Sequence, residues 1–149
     1  MQWIKCRTSF RLIVSLAVLG FALPGGVGIA AEVQDAVIVS VEDASAKVGE
    51  KATVVAKITA REGYRIAEDY RNRITTLSAL DDGVEFENKV VRGSMQDGDL
   101  VFKIRVTPKK PGAHAINGVL RFGFINSLDG DYHLDIKWTP LVATVTGTE

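Results

Sequence analysis

From residue 37 onward the apolar side chains recur at every second position, and that period sets what the chain can fold into. Leu100, Phe102, Ile104 and Val106 alternate with Val101, Lys103, Arg105 and Thr107. Ala52, Val54, Ala56, Ile58 and Ala60 alternate in the same way, and so do Tyr132, Leu134, Ile136 and Trp138 against His133, Asp135 and Lys137. A period of two puts one set of side chains on each face of an extended strand, whereas an amphipathic helix needs 3.6. Between these runs stand turn formers: Gly49, Gly63, Asp81-Asp82-Gly83, Asp97-Gly98, Pro108 to Gly112, and Asn126 to Gly130. They recur at intervals of about ten residues. Ala67 to Arg73 is the most helix-compatible stretch and is too short to be more than a turn or loop. The pattern predicts an all-β chain, an immunoglobulin-like antiparallel β-sandwich of about seven to nine short strands. Ile116, Leu120, Phe122 and Phe124 are expected to face inward, and so are the even-numbered residues from Tyr132 to Trp138. Thr139-Pro140 is expected to bend the chain before a last strand over Leu141 to Thr146.

The first thirty-odd residues read differently. Lys5, Arg7 and Arg11 precede an apolar stretch from Leu12 to Leu23, then Pro24-Gly25-Gly26, then small residues at Gly28, Ala30 and Ala31. A basic head, an apolar middle and a small-residue end make a secretory signal peptide. The expected division is a signal peptide over residues 1–30 and a sandwich domain over 31–149, with cleavage after Ala30 or Ala31. An uncleaved anchor fits less well, because the Pro-Gly-Gly break leaves only about twelve strongly apolar residues. Cys6 lies before the apolar run, so a lipoprotein signal is not indicated. The expected location is periplasmic or secreted.

Removing that segment leaves 15 basic against 18 acidic residues, a net charge of −3. The signs are interspersed and there is no basic block, which argues against nucleic acid as a partner. Cys6 is the only cysteine, so the mature domain would form no internal disulfide and perform no thiol chemistry.

No catalytic constellation stands out. None of the serines lies in a G-x-S-x-G elbow, and no glycine-rich phosphate loop is present. The Asp-Gly pairs do not continue into a calcium loop and read as turns. His133 and Asp135 share one face of a strand and, with His114, are weak candidates for a metal site; otherwise no cofactor is indicated. Tyr64, Tyr70 and Arg71 surround a charged loop, and Tyr and Arg are enriched at interface hot spots, so they are the candidate partner-binding residues. The reading is a non-enzymatic binding module; the alternative is a metal or small-ligand carrier.

Gly63-Tyr-Arg-Ile66, Asn72-Arg-Ile74, Gly83-Val84, the run from Leu100 to Val106, and Leu120-Arg-Phe-Gly123 leading toward Trp138-Thr-Pro140 follow one another in order. In that order the chain resembles the N-terminal periplasmic domain of the thiol:disulfide interchange protein DsbD over roughly residues 40 to 146. The resemblance implies an immunoglobulin-like scaffold and a thioredoxin-like partner in the cell envelope. It does not carry the redox reaction: the positions matching the family's cysteines fall near Phe124 and Lys137. The family's aromatic cap is also missing where Lys89, Val90 and Val91 stand.

Overall fold

The computed structural model describes residues 36–127 and 132–149. The signal peptide, its cleavage site and the start of the mature domain lie outside the described residues. Within them the chain is all strand and turn, arranged as two sheets packed face to face. The strands are β1 (Val37–Glu42), β2 (Ala44–Lys47), β3 (Ala52–Ala60), β4 (Tyr64–Ile66), β5 (Arg73–Ala79), β6 (Val84–Phe86), β7 (Val91–Arg92), β8 (Ser94–Gln96), β9 (Asp99–Pro108), β10 (Gly112–Asn126) and β11 (His133–Thr148). No helix among the described residues is long and apolar enough to cross a membrane.

The first sheet runs β1-β3-β9, with β6 and β8 both on the far side of β9; the second runs β2-β11-β10-β5-β7, with β4 also paired to β10. Neighbours are antiparallel except β2, which runs parallel to the end of β11. The core lies between the sheets. Val54, Ala56, Ile58, Phe102 and Ile104 from the first sheet meet Ile74, Ile116, Leu120 and Phe122 from the second, all fully buried. Alternation along β3, β9 and β10 puts all of these except Ile74, which is on β5, inside as the sequence predicts.

Two local devices keep that alternation working. Asp97 and Gly98 both have positive φ, 51° and 87°, and close the β8–β9 hairpin between Gln96 and Asp99. Two positive φ angles match the twist of the flanking strands, and glycine takes such an angle without cost. In β5 the register to β10 slips by one residue: Asn117 pairs with Ser78, but Val119 pairs with Thr75. Thr76 absorbs the extra residue at φ 54°, and the shift turns both Ile74 and Leu77 toward the core although they are three positions apart.

The sequence reading of the last strand is overturned. β11 does not break at Thr139-Pro140 but continues from His133 to Thr148. Leu141, Ala143 and Val145 are buried, so the odd-numbered side chains face the core. A continuous strand then points the even-numbered residues outward. Trp138, expected in the core, is 65% exposed, and Tyr132, Leu134 and Ile136 are exposed with it.

Candidate functional site

The outer face of the second sheet gathers the candidate side chains. Arg121 on β10 stands directly opposite Trp138 on β11, Gly123 opposite Ile136, and Ile125 opposite Leu134. Directly opposed residues share a face, so Leu134, Ile136 and Trp138 form one apolar stripe. The Arg121 guanidinium lies 5.1 Å from the Trp138 ring centroid and 5.7 Å from that of Tyr70, close enough for cation–π attraction to both. Arg65 likewise covers the Tyr132 ring at 5.6 Å.

Tyr70 belongs to the loop between β4 and β5, which is fastened by one buried carboxamide. β4 and β5 both pair with the same side of β10 and leave a gap at Gly123. Asn72 fills that gap: its Oδ1 accepts from the Gly123 N–H at 2.9 Å, and its Nδ2 donates to the Ala67 carbonyl at 2.9 Å. The Ala67 N–H donates in turn to the Gly123 carbonyl. The side chain thus acts as a missing rung of the ladder, and being buried it must be paired in this way. Gly123 is needed for a second reason: a Cβ there would lie 2.9 Å from Tyr70 Cγ and 3.0 Å from Leu134 Cδ1.

Of the predicted partner-binding residues, Tyr70 and Arg71 do line one recess, a cavity of about 340 Å³ shared with Asp69, Arg73 and Arg121. Tyr64 is turned away. Its ring meets Phe124 edge-on at 6.0 Å and packs against the core. Sequence reasoning missed Arg73, Arg92 and Arg121. Arg73 pairs directly with Arg121 on one side and Arg92 on the other, so three arginines stand side by side across β10, β5 and β7. Only the pairing of strands far apart in the chain creates that row.

The candidate metal ligands are not brought together. His133 pairs with Asn126 at one end of β10 and His114 sits near the other, roughly 40 Å away at strand spacing. Among the described residues no three His, Cys, Asp or Glu side chains converge. His114 has a structural setting instead. It is buried, with Nδ1 2.9 Å from Asp81 Oδ2 and Nε2 3.0 Å from the Lys110 carbonyl. Both neighbours are acceptors, so both ring nitrogens are best served by carrying a proton. The bond to Asp81 and then that to Lys110 hold the imidazole above its ordinary range. Asp81 is held below the usual carboxylate range by His114 and then by the Gly83 N–H.

The edge of β11 completes the site. Thr144 N–H donates to Asp43 and the Thr148 carbonyl accepts from Val48, so the even-numbered backbone groups face away from β10. β2 covers them only from residue 145 onward. Among the described residues no strand covers those of Leu134, Ile136, Trp138 and Val142. Pro140, the even-numbered residue between them, brings no N–H to that edge.

No family model matches the chain, and no curated protein matches it. Among solved structures it is similar to AggA, the major subunit of aggregative adherence fimbriae type I from Escherichia coli. The likeness covers 75% of this chain and 94% of that one at 14% identity, with a TM-score of 0.39, too loose to carry function.

Proposed function

We propose that the chain is an exported, non-catalytic docking module that binds a protein partner in the cell envelope through the outer face of its second sheet. The observation that carries this reading is the apolar stripe of Leu134, Ile136 and Trp138 standing exposed beside an uncovered strand edge. Soluble proteins seldom leave such a patch open without a use for it, and an open edge offers a partner strand backbone donors and acceptors. Tyr70 and Arg71 flank the patch and supply polar anchoring. The N-terminal basic, apolar and small-residue pattern supports export. The resemblance to the DsbD domain suggests a thioredoxin-like partner, bound without thiol exchange.

The test is capture from envelope extract by the wild-type chain and by the double variant Leu134→Lys, Ile136→Lys. Both positions are exposed, so the variant should keep its urea midpoint. A thioredoxin-like protein retained by the wild type and lost by the variant is the expected result. The same set of proteins on both, or none on the wild type, would overturn the reading.

A further inference from the structure

The arginine row has a cost that the fold alone does not require. Like charges directly opposite on neighbouring strands repel, yet Arg121, Arg73 and Arg92 stand in one line on adjacent strands, about 5 Å apart at strand spacing. Ile74, Leu120 and Val91, the next residues in the same registers, pack against the core, so the three arginines all point outward. On the first sheet and at its strand ends, Lys51, Lys57, Arg105 and Lys109 each meet a carboxylate. The row meets none: no ion pair reaches Arg71, Arg73, Arg92 or Arg121 among the described residues. Glu68 and Asp69 stand at the rim of the same hollows without pairing.

Two further observations mark the place as a receptor for something. Arg121 Nε is buried and has no hydrogen-bond acceptor, although its guanidinium is held in place beside Tyr70 and Trp138. A larger hollow of about 610 Å³ opens beside the row, lined by Tyr70, Arg71, Arg73, Arg92 and Met95 among others. One held guanidinium beside others that meet no carboxylate fits a tetrahedral oxyanion, whose several oxygens accept from more than one fork at once. A single carboxylate would neutralise only one of three adjacent cations, whereas a phosphoryl or sulfuryl group offers more acceptors, and phosphate or free sulfate more charge as well.

We infer that the Arg121–Arg73–Arg92 row, with Arg71 and Tyr70, is a binding site for a phosphate or sulfate group. The site shares Tyr70 and Arg71 with the docking face, but anion binding by the row does not require partner docking at Leu134 and Ile136, so its failure would leave that reading intact.

The test uses the fluorescence of Trp138, which lies over Arg121, in the purified chain with Trp3 replaced by Phe. Inorganic phosphate, sulfate, phenyl phosphate and acetate are titrated at ionic strength matched with sodium chloride. Phosphate and sulfate should change the emission saturably and raise the melting temperature, and Arg73→Gln should weaken binding about tenfold or more. Arg92→Gln should weaken it too, and each variant alone should melt at or above the wild-type temperature in low salt because repulsion is relieved. Tighter binding of phenyl phosphate would show that the group is borne by a larger molecule, and equal binding that the free anion suffices; both support the site. No saturable response, binding in both variants as tight as in the wild type, or acetate binding as well as phosphate would overturn it.

Discussion

Replacing Asn72 with alanine tests whether one side chain stands in for a rung of the sheet. The carboxamide makes two buried hydrogen bonds, each 2.9 Å long. Their loss is unequal in effect. The Ala67 carbonyl keeps a second donor, the Tyr70 N–H at 3.3 Å, whereas the Gly123 N–H is left with no partner in a buried position. A net hydrogen bond contributes about 1 kcal/mol, and a stranded buried donor adds about 1–3 kcal/mol. The expected loss is therefore about 2–4 kcal/mol, a sizeable part of the roughly 5–15 kcal/mol that holds a domain together. With a urea slope of about 2 kcal/mol/M, the unfolding midpoint should fall by about 1–2 M. Hydrogen exchange gives the local readout. The Gly123 amide should exchange much faster in the variant, while Phe122 and Phe124, whose amides face β11, should keep their protection. A midpoint shift under about 0.5 M, or equal acceleration at all three amides, would refute the argument.

Four further outcomes follow from the same structure. Phe102→Ala removes a fully buried ring from the centre of the core and should cost about 3–5 kcal/mol in urea unfolding. Thr76→Gly should raise stability by about 1 kcal/mol, since a β-branched residue at φ 54° is strained and glycine is not; a fall would show that the Thr76 side chain contributes more than the strain costs. For His114, the folded state holds the proton more tightly than the unfolded chain, so its stabilisation is complete below the ordinary histidine value near 6.5 and is lost as pH rises through the higher folded value. Asp81 acts in the opposite sense, its contribution being lost only as pH falls through its depressed value; the wild type should therefore lose more melting temperature than His114→Gln when titrated upward from pH 6. Trp138→Ala should change the unfolding free energy by no more than about 1 kcal/mol, because the ring is exposed and gives up only its contact with Arg121, while partner capture falls.

The fold class and the core of β3, β9 and β10 were legible because alternation is a local property. What alternation cannot state is which of its two sets faces inward. In β11 the even set, Leu134 to Trp138, and the odd set, Leu141 to Val145, conflict in phase. A bend at Pro140 would reconcile them; the protein instead keeps the strand continuous and exposes the even set. His133 and Asp135 on the other face are exposed as well, so this half of β11 reaches past the covered part of the core. The candidate site was half legible. Tyr70 and Arg71 advertise themselves as a polar, aromatic loop. Asn72 and the arginine row depend on register between segments far apart in sequence, which no local pattern encodes.

Pro140 gives the uncovered edge a definite length. Proline on an edge strand withholds a donor from any strand that pairs there, and here the row of outward N–H groups stops after Trp138 and resumes only at Val142. An added strand finds full pairing over about seven residues, His133 to Thr139, and then meets a position that cannot donate. The same proline that misled the sequence reading therefore interrupts the open edge, leaving about seven residues against which one visiting strand can pair.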